Sequence, residues 1–151
     1  MLNVAKPVRK HDKQEGQLKE ELKASSTFTQ GSVEITLPIR TVSESNCSEH
    51  WHKKARRHTL QQGKVAFLLK PLREKIKLPC VILLTRYAPR KLDKHDNLPM
   101  SMKWIIDSIC AIITGDYRAG RADDDKRISI SYDQVSYPHY GVKILITFQE
   151  V

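Results

Sequence analysis

Residues 91–107, KLDKHDNLPMSMKWIID, place carboxylates and a lysine where a polar loop passes into an apolar, helix-like pattern. Asp93 and Asp96 fall in the loop, and Lys103 and Asp107 follow in the helical pattern. Positions seven and eleven apart return to nearly the same face of a helix, so Asp96, Lys103 and Asp107 form one predicted stripe. The stripe is either a metal-binding face or an ordinary solvated face carrying an i,i+4 ion pair.

A second acidic group stands in RADDDKRISI, where Asp123, Asp124 and Asp125 immediately precede an alternating, strand-like pattern. Consecutive aspartates repel one another unless a cation neutralises them. Carboxylate oxygens are the ligands that Mg²⁺ and Mn²⁺ prefer. The two acidic groups therefore predict a site for one of these ions, and a nuclease combines such a site with cations that hold the phosphate backbone.

The charge of the chain favours a polyanionic partner. Lys and Arg number 26 against 17 Asp and Glu, a formal net charge of +9 in 151 residues, and nucleic acid is the first candidate for such a surplus. Basic residues on the first predicted helix and around the acidic loop could hold phosphates or could simply be solvated. They are Lys53, Lys54, Arg56, Arg57, Arg86, Arg90, Lys91 and Lys94.

Several other functional classes are disfavoured. Cys47, Cys80 and Cys110 are widely spaced and form no CxxC pair, which argues against a zinc site or a disulfide framework and fits a reducing cytoplasm. No apolar run approaches the roughly 20 residues of a membrane-spanning helix, and no signal-peptide core stands at the start. The glycine-rich phosphate loops of nucleotide-binding folds are missing, so we expect no nucleotide cofactor.

Hydrophobic patterning predicts one α/β domain over residues 33–151, preceded by a polar and flexible N-terminal extension over residues 1–32. The predicted order is β-α-β-α-β-β, a single mixed sheet covered by two helices. Strands are predicted at residues 32–39, 79–87, 126–135 and 141–148, and helices within residues 43–72 and 97–114. The short turn SYPHY, residues 136–140, predicts that the last two strands form a hairpin.

Four stretches, in this order along the chain, resemble one family. ITLPIRTVSESN resembles an opening strand and a turn leading to an asparagine, and EHWHKKARR a basic helix start. LDKHDNLPMSMKWIID is similar to an acidic DN signature running into a helix, and DDDKRISISYDQ to a third acidic site before a strand. Together they resemble the RusA-type Holliday junction resolvases, especially the phage and prophage branch, from about residue 34 to residue 148.

The resemblance implies a homodimeric, Mg²⁺-dependent endonuclease that nicks a four-way DNA junction symmetrically. It implies that Asp96 and Asp125 bind the metal, that Lys103 is the catalytic lysine and that Asn97 is the asparagine of the DN pair. The remaining implied roles are a metal ligand at Asp93, a substitute ligand at Asp124, support for the site from Asp107 and a DNA contact at Asn46.

Two positions depart from the family pattern. The family commonly has D-x-D-N, whereas Lys94 stands two residues before Asp96, and the nearest acid is Asp93. Met100 holds the place of the lysine in the cellular branch, and Lys103 follows one helical turn later. These departures leave open a DNA- or junction-binding protein that does not cleave, and also a protein-interaction module whose acidic cluster is structural.

Overall fold

The computed structural model describes residues 20–45, 47–118 and 120–150. In this part of the chain five strands form one mixed sheet, which confirms the predicted α/β class. The strands are β1 (Ser25–Thr29), β2 (Ser32–Leu37), β3 (Cys80–Ala88), β4 (Ile128–Ser136) and β5 (Gly141–Phe148). The helices are α1 (Trp51–Leu69), α2 (Asn97–Ser101) and α3 (Lys103–Thr114), and a 3-10 turn (Lys70–Lys75) follows α1.

The sheet has the order β1-β2-β5-β3-β4, so the predicted hairpin between β4 and β5 is wrong. Leu84 of β3 lies between Ile144 of β5, which is antiparallel to it, and Tyr132 of β4, which is parallel to it. The physical reason is burial. Val142, Ile144 and Ile146 are fully buried, and only a central position shields β5 on both sides, whereas β4 is largely solvent-facing and takes the edge.

Strand β1 lies in the segment predicted to be an extension, so the folded domain begins before residue 33. It pairs with β2 in antiparallel register, Phe28 opposite Val33, and the turn between them contains Gly31 at φ 78°. The sequence SSTFT is polar because an edge strand needs only one large inward side chain, and Phe28 packs against the core. The polarity of residues 25–29 therefore conceals a strand within the segment that was predicted to be an extension.

The core fills the space between one face of the sheet and the helices. Alternate residues of β3 are buried, whereas Val81 on the other face is 48% exposed. The largest fully buried side chains come from the strands and from the helices that cover them. They include Ile35, Leu37, Leu69, Ile82, Leu84, Leu98, Met102, Ile105, Ile109, Ile144 and Ile146. This is the two-layer arrangement that the alternating patterns predict.

The helix predicted over residues 97–114 is divided into α2 and α3. Met102, at φ −103° and ψ −1°, separates them, and its N–H donates to the carbonyl of Pro99 only three residues back. The second helix ends where predicted, because Gly115 adopts the left-handed conformation (φ 73°) and its N–H donates to the Ala111 carbonyl. The break means that Asp96 and Lys103 do not lie on one continuous helix.

Candidate functional site

The carboxyl ends of β2, β3 and β4 meet at one end of the sheet. Strand β5 is antiparallel to both β2 and β3, so those two strands run in the same direction, and β4 is parallel to β3. The described segments that follow the three strands, residues 38–45, 47–50, 89–96 and 137–140, are called here the loop edge. Ligands of open α/β sheets commonly bind beyond the carboxyl ends of strands, and Asp93 and Asp96 lie there.

Asp93 organises the turn before α2. One of its carboxylate oxygens accepts the N–H of Asp96 at 3.0 Å, and its carbonyl accepts the N–H of Leu98 at 2.9 Å. The amide of Asp96 is the main cause that lowers the pKa of the Asp93 carboxyl group. Asp93 is also exposed, so oxygen lone pairs remain available to a ligand.

Asp96 stands at the N-cap position of α2 but forms no side-chain capping hydrogen bond. Its side chain is exposed, and in the described part of the chain its carboxylate has no hydrogen-bond or ion-pair partner. The next residue, Asn97, is fixed in place, because the Ser43 hydroxyl donates to its side-chain oxygen at 2.6 Å. This bond ties two segments of the loop edge together beside a carboxylate that is free to bind.

Lys103 and Asp107 form the i,i+4 ion pair that their spacing predicts, with 3.3 Å between the Lys103 Nζ and an Asp107 carboxylate oxygen. Both side chains are partly exposed. They border a cavity of about 630 Å³ between α1 and α3, together with Asp123 and Asp116. Sequence reasoning noted Asp123 only as one of three aspartates, and Asp116 was missed because it stands alone after the helix-ending Gly115.

Asp125 lies at the opposite end of the sheet from Asp93 and Asp96. Its carbonyl accepts the N–H of Ile128, the first residue of β4, whereas Leu92 is held by two hydrogen bonds to the Gln134 side chain. Gln134 lies six positions after Ile128 in the same strand, roughly 20 Å away at 3.3 Å per residue. The predicted ligand set of Asp93, Asp96, Asp125 and Asp124 is therefore not brought together.

The charge of Asp125 is instead neutralised within its own loop. Its two carboxylate oxygens accept the Nε and Nη2 of Arg127 at 3.0 and 2.7 Å, and Asp125 also accepts the Arg127 amide. This side-chain pairing is the main cause that lowers the pKa of Asp125 to about 2. Asp124 is an exposed neighbour. No group of three or more metal-binding side chains is found in the ranges that the structure describes.

Some cations of α1 form ion pairs with glutamates, whereas others are exposed and form no ion pair among the described residues. Arg57 donates to Glu44 at 2.9 and 3.0 Å and to Glu49 at 2.7 Å, and the bond to Glu44 is the main cause that raises the pKa of Arg57. Lys54 also approaches Glu44, at 4.0 Å. Lys53 and Arg56 are exposed.

Lys53 and Arg56 line a groove of about 400 Å³ with two cations that sequence reasoning missed, Arg40 and Lys64. Arg40 follows β2 in the chain, and Lys64 lies about three turns after Lys53 on α1. Only the fold brings the two residues together, so nothing in the local sequence signals the groove. A group of cations of this kind suits a phosphate backbone.

Arg86 is not the surface contact that was predicted. It is 6% exposed, its Nε donates to Thr41 at 3.1 Å and its Nη1 donates to the carbonyl of Arg90 at 2.9 Å. Burial is the main cause that lowers its pKa. Arg86 thus holds the loop edge together from inside. The other predicted cations of this loop, Arg90, Lys91 and Lys94, are exposed, and Asn46 lies outside the described residues.

Neither protein-family models nor curated proteins provide a match to this chain. The RusA resemblance therefore stands on the quoted residues and on the order of the elements. Among residues 20–45, 47–118 and 120–150, none of the helices has the length and apolar character that crossing a bilayer requires.

Proposed function

We propose that this protein is a Mg²⁺-dependent endonuclease of the RusA type that acts on branched DNA in the cytoplasm of a bacterial or phage-infected cell. The observation that carries the proposal is Asp96. It is an unpartnered carboxylate that directly follows the loop of a central strand, between the exposed cations Lys91 and Lys94 and the anchored Asn97.

The residues of the loop edge suit a magnesium ion that is bound by only a few protein ligands. Mg²⁺ is commonly held by one or two carboxylates, with waters and substrate phosphates completing its coordination. Asp96 and Asp93 share one turn and are both exposed, so they form such a pair, and Mn²⁺ could take the same ligands. When bound, Mg²⁺ supplies charge neutralisation at a phosphate and lowers the pKa of a coordinated water. Asp125 and Asp124 take no part in this proposal.

Other side chains in this proposal position the DNA strand. Arg90, Lys91 and Lys94 offer positive charge around the carboxylates, and Lys53 and Arg56 extend that charge along α1. Lys103 is the first residue of α3 and is separated from Asp96 by α2 and the break at Met102. In this proposal a strand that crosses α2 meets both residues, and the ammonium group of Lys103 stabilises negative charge on the phosphate oxygens.

Paired nicks on a four-way junction need two cutting centres, and each chain supplies one such turn. A two-fold symmetric homodimer provides the second centre without further sequence. The dimer is therefore part of the proposal.

A second candidate is a DNA- or junction-binding protein that does not cleave. It is favoured by one specific observation, that Asp93 is engaged in the turn and Asp125 in an ion pair, which leaves Asp96 as the free carboxylate of the predicted set at the loop edge. On this alternative the cations still hold phosphates, and the carboxylates serve only to shape their loops.

A labelled four-way junction, incubated with and without Mg²⁺, separates the two candidates. We expect symmetric nicks that require Mg²⁺ and that fall at least 100-fold in Asp96→Asn, with junction binding unchanged or tighter because a negative charge is lost. Asp133→Asn, which removes an exposed carboxylate on β4, is the matched control. Binding without Mg²⁺-dependent nicking by the unaltered chain would establish the second candidate instead.

A further inference from the structure

The cavity between α1 and α3 is large enough for a small organic ligand. Its volume of about 630 Å³ falls within the 300–1,000 Å³ range of typical ligand sites. Its floor combines apolar side chains such as Ala66, Ala111 and Ile112 with charged groups at the rim. The loop-edge carboxylates Asp93 and Asp96 are not among the residues that line it, whereas Lys103 and Asp107 are. The cavity therefore adjoins the proposed nuclease site but does not include the metal pair.

One wall of the cavity is aromatic. The rings of His58 on α1 and Trp104 on α3 stack with centroids 4.0 Å apart and planes inclined by 26°. Tyr117, at the mouth, is 67% exposed. Unstacked nucleobases of single strands are commonly held against aromatic faces of this kind.

The polar groups of the cavity match the edge of a base. In the described part of the chain, Asp123 forms no hydrogen bond or ion pair, and Asp107 is paired through only one of its carboxylate oxygens. Carboxylates accept hydrogen bonds from the exocyclic amino groups of bases.

The cavity also contains a cation that could pair with a phosphate attached to such a base. Lys70, at the end of α1, lines the cavity and makes no ion pair among the described residues. A ligand with a flat ring, an amino group and a phosphate would thus meet an aromatic wall, a carboxylate and an ammonium group.

We infer that the cavity binds a nucleobase carrying an exocyclic amino group, through contact with the stacked pair of His58 and Trp104 and hydrogen bonding to Asp123. The base would be supplied by an unpaired position in branched DNA, and this choice of source rests on the proposed function. The binding chemistry itself needs neither Mg²⁺ nor cleavage.

The test uses the intrinsic fluorescence of Trp104. The chain has two tryptophans, and Trp51→Phe removes the exposed one, which does not line the cavity. Titration of this variant with dAMP in the presence of EDTA should give saturable quenching, and dTMP, which has no exocyclic amino group, should bind at least fivefold more weakly. Quenching that does not saturate, or equal affinity for dAMP and dTMP, would overturn the inference.

A second variant identifies the contact. Asp123→Ala should weaken dAMP binding about tenfold or more, while Glu74→Ala, which removes a carboxylate from the exposed 3-10 turn, should leave it unchanged. Equal binding by both variants would refute the role of Asp123. Competition then identifies the source: displacement of dAMP by a single strand but not by a fully paired duplex supports an unpaired DNA base. Failure of both to compete would assign the cavity to free nucleotides and overturn the DNA source.

Because the titration is carried out in EDTA, its outcome is independent of the nicking assay. Loss of nicking with intact dAMP binding would contradict the proposed endonuclease and leave the cavity assignment standing. Nicking without dAMP binding would do the reverse.

Discussion

At the scale of single residues, Asp93 and Asp96 share a turn but have different surroundings. The carboxylate of Asp93 accepts the amide of Asp96, whereas the carboxylate of Asp96 has no partner among the described residues. One change at Asp93 can therefore remove its charge without removing the hydrogen bond that shapes the turn, because an asparagine oxygen still accepts an N–H.

We predict that Asp93→Asn lowers Mg²⁺-dependent nicking at least tenfold while the midpoint of urea unfolding stays unchanged. Asp93→Ala should lower both, because it also removes the acceptor for the Asp96 amide. Junction nicking and urea titrations of the two variants test this. Normal nicking by Asp93→Asn would reduce Asp93 to a turn-forming residue.

The ion pair between Asp125 and Arg127 should make a pH-dependent contribution to the free energy of unfolding. Its pKa in the folded protein is lowered to about 2 by Arg127, against an ordinary value near 3.9 in an unfolded chain. A lowered pKa means that the contribution is present above pH about 4 and is lost as the pH falls toward about 2.

We predict that Asp125→Asn destabilises the protein at pH 7 and that the difference from the unaltered chain disappears near pH 2. Urea midpoints measured for both proteins at several pH values check this. A difference that persisted unchanged at pH 2 would show that the Arg127 pair is not its cause. In the nicking assay the loss for Asp125→Asn should be much smaller than for Asp96→Asn.

At the scale of elements, α1 presents cations in two different states. Lys53 and Arg56 are exposed beside Arg40 and Lys64, whereas Arg57 is held by Glu44 and Glu49. A cation that forms no ion pair can bind a phosphate and release its counterion directly. A cation such as Arg57 must first break its ion pairs.

The salt dependence of junction binding should therefore differ between variants of the exposed basic residues of α1 and a variant of the ion-paired Arg57. For duplex arms, each neutralised phosphate contributes about 0.9 to the slope of log K against log salt. We predict that Lys53→Ala and Arg56→Ala each weaken junction binding and flatten this slope by nearly that amount. Arg57→Ala should change the slope little and lower stability instead. An equally flattened slope for Arg57→Ala would mean that its carboxylate partners release it when DNA binds.

Local patterning predicted the elements better than their pairing. The bounds of β5 agree with its alternating run, and the end of α3 agrees with Gly115, since both signals are local. The partner of β5 could not be read in this way, because a short turn after β4 favours a hairpin unless burial forces β5 to the centre. The break at Met102 was also missed, since the apolar periodicity continues across it.

The candidate site was predictable only in part, for a related reason. The spacing of Lys103 and Asp107 fixes their ion pair whatever the fold. Asp96 follows the carboxyl end of β3, whereas Asp125 precedes the amino end of β4. These two ends lie far apart only because β3 and β4 run in parallel, and the local sequence does not show that direction. Arg40 and Lys64 likewise meet only after folding.

At the scale of the whole molecule, the proposed paired cuts require two chains. Trp51, at the start of α1, and Phe67, near its end, are large apolar side chains that are 66% and 80% exposed. Their positions on the helix differ by about 160° in direction, so they lie on different faces of α1. Trp104 stacks against His58.

We predict a two-fold symmetric dimer with twice the chain mass of 17.4 kDa. Light scattering at micromolar concentration measures this directly, and Trp51→Glu or Phe67→Glu should shift the mass toward one chain if the face of α1 that carries the substituted residue is the contact. A monomer for the unaltered chain would contradict symmetric junction resolution but would still allow single nicks.

The central position of β5 has a consequence for biosynthesis. Val33 of β2 lies opposite Ile146 of β5, so the first large strand must wait for the last strand to leave the ribosome. At 5–20 residues per second this delay is roughly 5–20 s. Throughout it, Val33 and Ile35 face solvent or a chaperone. A premature stop codon before residue 141 would thus leave two sheet fragments with no strand between them, and we expect such products to aggregate or to be degraded.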